Sequence, residues 1–348
     1  MGRIRVAGLG LVCLTLAAAC SSGGDDAAKR EDPQVQAKKM AAEANARKAA
    51  MAAAARVKAN ELGQIPVIMY HRVVKNPPPG DDLSPEQFRA ELERLAAEKY
   101  VPITAAEYVT GKIDIPAGMH PVVLTFDDAS PSQVALDGMG NPLPDSAVGI
   151  LLDVAKKYPH FRPVATFFVT RDLFGKTRKE EQMQVLQWLK DHGFDIGNHT
   201  KDHVNLLGKS REQVAEAIAA GQAMVTELIN TPPVTLALPY GNQPSKKEWA
   251  LQGKAKSGEY KLYGAFLAGY TPAASPFSKD FDPAGIPRIR SKEKVGDCKQ
   301  FCSAAWLDWL KANPSERYTS DGNPNTVAFP KFKAPFAAPA YASRALPY

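Results

Sequence analysis

Histidine and cysteine are scarce in this chain, at six and four of 348 residues. No histidine follows His203, so any imidazole chemistry must be assembled from the first 203 positions. Strong charge of one sign is also missing. The formal net charge is +6 with a pI near 9.0, and the Lys and Arg residues form no basic stripes interleaved with aromatics, which argues against a nucleic-acid partner. No internal repeat is evident. What is present is length and apolar content: 348 residues, 45% hydrophobic, enough for one large α/β barrel domain, with two small domains as the alternative.

The first twenty residues read as a leader. Arg3 and Arg5 precede an apolar run from Val6 to Ala19 that is too short for a membrane span, and small residues follow it. Leu16 to Cys20 resembles a bacterial lipobox, with Ala17 where that pattern prefers Leu. On this reading Cys20 carries lipid and the protein is extracytoplasmic, anchored to the bacterial cell membrane, or secreted if the lipobox is not used. Cys13 leaves with the leader, so Cys298 and Cys302 remain in the folded part. Four residues apart in an oxidising compartment, they are expected to form a local disulfide, with a reduced buried pair as the alternative. Half a metal site would need a further Cys or a nearby His.

Residues 21–63 are rich in Ala, Lys, Arg and Glu without an apolar stripe, the pattern of a helical or disordered spacer. A barrel domain is expected over residues 64–312. Strand candidates fall near 66–70, 122–126, 164–169, 194–198, 234–238, 262–268 and 286–290. Helix starts between them carry capping-box patterns at Ser84, Thr104, Ser210 and Ser245. Alternation of this kind predicts a parallel sheet covered by helices, an α/β fold whose seven strands suit an incomplete barrel. Residues 313–348 are Pro- and Ala-rich without periodicity and are expected to be an irregular tail.

Two features carry chemistry. The apolar strand Val122 to Phe126 runs directly into Asp127 and Asp128, and adjacent buried carboxylates repel unless a cation or shared proton intervenes. Downstream, His199 and His203 have the four-residue spacing that lets two imidazoles meet one metal. Two His and a carboxylate leave open coordination positions, and the second Asp is free to take a proton from water. Zinc suits this donor set, although cobalt, nickel or iron could also fill it. His120, His160 and His192 are read as surface or loop residues.

Thr125-Phe-Asp-Asp128, the His199 to His203 segment and Leu238-Pro-Tyr-Gly241 resemble the first three motifs of NodB-like polysaccharide deacetylases, carbohydrate esterase family four. Pro66 to Val73 and Ala165 to Val169 are similar to the same family, so the likeness runs from about Ile65 to Arg290. It implies a distorted barrel of about seven strands, built like a TIM barrel, with its site at the C-terminal strand ends. By the same likeness Asp127 is the general base, Asp128, His199 and His203 hold the metal, and the Tyr240 N–H helps bind the oxyanion.

The chain departs from that pattern twice. Ala237 stands where the family's third motif carries an Arg for the base, leaving Arg288 and Arg290 as candidates for the missing cation. The usual late His is absent, but some relatives, including deacetylases of biofilm poly-N-acetylglucosamine, look circularly permuted and place it in an N-terminal Tyr-His motif. Tyr70-His71 fits, and His71 becomes the candidate general acid. The expectation is a metal-dependent deacetylase of an N-acetylated polysaccharide. A non-catalytic glycan-binding lipoprotein and an O-acetyl esterase of the xylan type are the alternatives.

Overall fold

The computed structural model describes residues 32–348. Helix α1 spans Pro33–Arg56 and lacks any apolar face in its N-terminal part. Of the described residues, 32–46 belong to one unit, and Arg47–Tyr348 form a second, compact one. No helix among the described residues is long and apolar enough to cross a membrane.

In chain order the second unit then contains β1 (Val67–Tyr70), α2 (Pro85–Ala97), β2 (Tyr100–Ile103), α3 (Ala105–Val109), β3 (His120–Phe126) and α4 (Ala147–Lys157). There follow β4 (Thr166–Val169), α5 (Lys179–Asp191), β5 (Asp195–Asn198), α6 (Arg211–Ile229) and β6 (Thr235–Ala237). The remainder is β7 (Gln252–Ala255), β8 (Gly258–Lys261), β9 (Gly264–Phe266), β10 (Ile289–Arg290), α7 (Cys298–Phe301), α8 (Ser303–Ala312), β11 (Val327–Phe329) and β12 (Ala345–Pro347).

The main sheet runs β10-β1-β3-β4-β5-β6-β9, all parallel, with β2 added beside β3. It curls into an incomplete (β/α) barrel. The two ends of the path approach through single bridges, Phe266 to Ile286 and Tyr270 to Ile289. Strands β1, β3 and β4 are buried on both faces, as their continuous apolar runs require of a parallel sheet. Outside it, α2, α3 and α6 start at complete capping boxes on Ser84, Thr104 and Ser210. Val214, Ile218, Gly221, Val225 and Leu228 turn one face of α6 inward.

Several expectations are corrected. Ser245 caps no helix; a single 3-10 turn begins at Lys247 without a side-chain cap. The tail is not wholly irregular, because β11 and β12 pair in parallel and bury Val327, Phe329 and Leu346. Ala54 and Ala59 pack against Ala328 and Leu346, so the end of the expected spacer belongs to the core. His120 is buried, with Nδ1 2.7 Å from the Tyr318 carbonyl, and is not a surface residue. Cys298 and Cys302 are joined as a disulfide, S–S 2.03 Å. Cys20 and the leader lie outside the described residues.

Candidate active site

Parallel topology delivers several chemically loaded residues to one edge of the sheet. His71 follows β1, Asp127 and Asp128 follow β3, His199 follows β5, and Tyr240 lies in the turn after β6. Strands in a parallel sheet all point the same way, so residues just past their C-terminal ends converge, which is where α/β barrels place their sites.

Asp128 Oδ1 lies 3.5 Å from Nε2 of both His199 and His203, and one ligand atom from each of the three residues falls within 4.8 Å of the others. The His199 ring is buried, and its Nδ1 sits 2.8 Å from the Ala237 carbonyl. Donation to that carbonyl fixes the proton on Nδ1 and leaves the Nε2 lone pair facing Asp128, the tautomer a metal ligand needs. An acid and two imidazoles converging with one oriented lone pair therefore fit a divalent cation.

Asp127 is handled differently. It is buried, and its two oxygens each accept a 2.7 Å hydrogen bond from the Arg288 guanidinium. Arg288 is almost fully buried as well. Its Nε donates to the Leu267 carbonyl at 2.6 Å, its Nη1 reaches Thr125 Oγ1 at 3.2 Å, and it lies over the Phe168 ring. The cation absent at Ala237 thus arrives just ahead of β10. Arg290, the other candidate, turns away to Asp81 at 3.4 Å.

These arrangements separate the acid–base properties of the four groups. Burial alone would raise the Asp127 carboxyl, but Arg288 and the charge of His199 outweigh it and hold the group well below the usual carboxylate range. Asp128 is also lowered; the raising effect of its burial is outweighed by the facing His199 ring. Burial works against a charged His199, yet Asp127 and Asp128 raise its pKa above the ordinary value. His203 moves down, through burial and then the charge of His199.

His71 is near enough for its charge to act on Asp127, Asp128 and His203. Its Nδ1 is buried with no hydrogen-bond partner among the described residues. The exposed Tyr240 ring lies 4.6 Å from that of His203, edge to face.

The backbone here is strained. Of the nine non-glycine residues with positive φ among the described residues, five are Asp128, Ala129, Thr200, His203 and Tyr240. The left-handed region costs about 1–2 kcal/mol per residue, so clustering at one place marks geometry that the surrounding packing enforces.

Residues without an evident sequence signal supply that enforcement. Gln133 is buried, and its Nε2 donates to the carbonyls of His71 (2.8 Å) and Asp127 (2.6 Å), tying the ends of β1 and β3 together. Asn198 accepts from the Thr200 N–H at 2.8 Å and donates to the Ile218 carbonyl at 2.9 Å, locking the turn between the two histidines onto α6. Gly221 makes room for it: a Cβ there would sit 2.4 Å from Asn198 Oδ1.

Known proteins place this geometry in context. Residues 114–255 match the family model described as polysaccharide deacetylase, a stretch that contains Asp127, Asp128, His199, His203 and Tyr240 but neither His71 nor Arg288. No curated protein matches by sequence. Among solved structures, the chain is similar to the deacetylase PplD of Streptococcus pyogenes in complex with acetate, at 18% identity and TM-score 0.51, covering 69% of this chain and 98% of that one. It is also similar to IcaB of Ammonifex degensii, at 20% identity and TM-score 0.48, over 70% and 97% of the two chains. BA0330 of Bacillus anthracis gives 18% and 0.49, over 68% and 67%. The acid pair and the spaced histidines fall inside the matched stretch, so residues 114–255 resemble the polysaccharide deacetylase family at the positions that carry the candidate chemistry.

Proposed function

We propose that this protein is a metal-dependent hydrolase that removes acetyl groups from an N-acetylated polysaccharide, an N-acetylglucosamine-containing polymer. One observation carries the reading: of two adjacent acids, Asp128 faces two imidazoles while Asp127 is clamped by an arginine beside them. Asp128, His199 and His203 would hold a divalent ion, zinc by the chemistry of the donors, which supplies a Lewis acid and depresses the pKa of water.

The chain's own groups divide the remaining work. Asp127 accepts the proton of the attacking water, and its carboxylate is kept ionised and aimed by Arg288. The N–H of Tyr240 is assigned to the developing oxyanion, in a turn whose left-handed φ of 60° fixes its direction. His71 gives a proton to the amine nitrogen as the carbon–nitrogen bond breaks and acetate departs. Its unpartnered buried Nδ1 supports a ring kept for a transient partner. Cys20, if lipidated, would tether the protein to the outer face of the bacterial membrane, with the polysaccharide as its partner there.

Acetate release from N-acetylglucosamine oligomers, measured beside acetylated xylan, tests the reading. Turnover of the oligomers by wild type and its loss in Asp127→Asn would support it. Release from xylan alone would make the protein an O-acetyl esterase, and release from neither would leave a glycan-binding lipoprotein.

A further inference from the structure

A cavity of about 700 Å³ lies away from the strand ends that carry the acids and histidines. Its lining comes from the segment after α1, the end of α2 and the turn before β2, the start of β3, the end of α8 and the tail. It has the volume of an ordinary small-molecule site. Five of its lining residues are cationic, Lys58, Lys99, Lys311, Arg317 and Lys333, against one acid, Glu98.

Two of these cations are already matched. Lys311 pairs with Glu98 at 3.2 Å and Lys333 with Glu316 at 4.0 Å. Lys58, Lys99 and Arg317 make no ion pair among the described residues. The Arg317 Nε is buried without a hydrogen-bond partner among the described residues. A half-buried guanidinium with an idle donor is unfavourable, because each desolvated donor gives up a bond to water.

Two further groups are left in the same condition. Tyr100, fully buried, lies under the Arg317 guanidinium and has a hydroxyl with no partner; Asn60, 3% exposed, has an unpartnered Oδ1. The local potential is positive: burial and then the charges of Arg317 and Lys99 push the neighbouring His120 down to about 4.

The backbone holds this arrangement in place. Lys58 and Lys99 both adopt left-handed φ, 53° and 64°. Gly63 lets the chain pass against Arg317, where a Cβ would meet the Arg317 carbonyl carbon at 2.4 Å. Asn60 Nδ2 anchors that segment through the Ser315 and Arg317 carbonyls at 2.9 and 3.0 Å.

We infer that this cavity binds a phosphate group, with Arg317 as its planar fork and Lys58 and Lys99 as flanking charges. Three unmatched cations exceed what one carboxylate needs and suit a dianion, and an arginine favours bidentate recognition of its oxygens. Phe332, Pro330 and Tyr348 on the cavity wall would receive the carrier of that phosphate. The phosphate could belong to a soluble ester or to a lipid headgroup.

Calorimetry of the full-length protein with inorganic phosphate and with glucosamine 6-phosphate, and sedimentation with phosphatidic acid vesicles, test this. Saturable binding in at least one arm, weakened tenfold or more in Arg317→Gln and in Lys99→Gln, with acetate release unchanged, is the expected result; the responding arm identifies the source. The variants are paired so that a folding defect in one leaves the other informative. The inference is overturned if no arm binds, if both variants bind like wild type, or if acetate competes as well as phosphate.

Discussion

Arg288 grips Asp127 with two parallel hydrogen bonds of 2.7 Å, and both side chains are buried. Removing one partner of a buried pair strands the other charge, a loss of about 3–5 kcal/mol. Arg288→Met should therefore lower denaturant stability by that order. In addition, burial unopposed raises the Asp127 carboxyl, so the acid limb of kcat/KM should move to higher pH. Arg288→Lys should not restore the profile, since an ammonium cannot fork onto two oxygens. A variant whose acid limb is unmoved would disconnect Arg288 from the base.

His71→Gln should distinguish amide from ester substrates. An amine must be protonated to leave, whereas an alkoxide or phenoxide of a good ester leaves without help. The variant should lose about 10²–10⁴-fold in release from N-acetylglucosamine oligomers and far less on an activated acetate ester. Equal losses on both substrates would argue for a structural role of the ring.

Gly221→Ala tests the support behind the histidine turn. The added Cβ would press on Asn198 Oδ1 at 2.4 Å and on the Lys201 N–H at 3.1 Å. Overpacking of this kind costs about 1–3 kcal/mol, and metal affinity should fall together with stability. Unchanged affinity, read by competition with a chromogenic chelator, would show that Asn198 does not hold the ligands in place.

Glu61 gives the fold a pH dependence away from the site. It lies buried between the end of α1 and the tail and accepts from Tyr318 Oη (3.1 Å) and the Ala328 N–H (2.8 Å). Burial, then the charge of Asp321, raises it from 4.5 to about 8. The native state thus keeps a proton that the unfolded chain releases. The associated stability is complete below pH 4.5 and is lost as pH rises through 8. The Tm of wild type should fall between pH 6 and pH 9 more than that of Glu61→Gln; parallel curves would contradict this.

Much of the fold was legible because burial on both faces demands apolar runs, and β1, β3 and β4 have them. Strand β2 was not: it is four residues long and contains Pro102, which an edge position tolerates because β2 pairs only with β3. His120 looked like a surface residue because nothing local reveals that Tyr318, 198 positions later, will cover it. At the site, Asp127, Asp128, His199 and His203 are adjacent or evenly spaced in sequence and could be read directly. Arg288 and Arg290 share one alternation parity, so sequence alone could not choose between them; depth along the barrel does. Gln133 and Asn198 act through backbone groups, and such roles leave no side-chain pattern to recognise.

The central claim is that Asp128, His199 and His203 hold one divalent ion with Asp127 free beside it. Anomalous diffraction from crystals grown with zinc tests it most directly. The account predicts one strong peak about 2.0–2.2 Å from a carboxylate oxygen of Asp128 and a nitrogen of each histidine. Asp127 should remain on Arg288. A peak bonded to Asp127 in place of Asp128, or no peak among these residues, would contradict it.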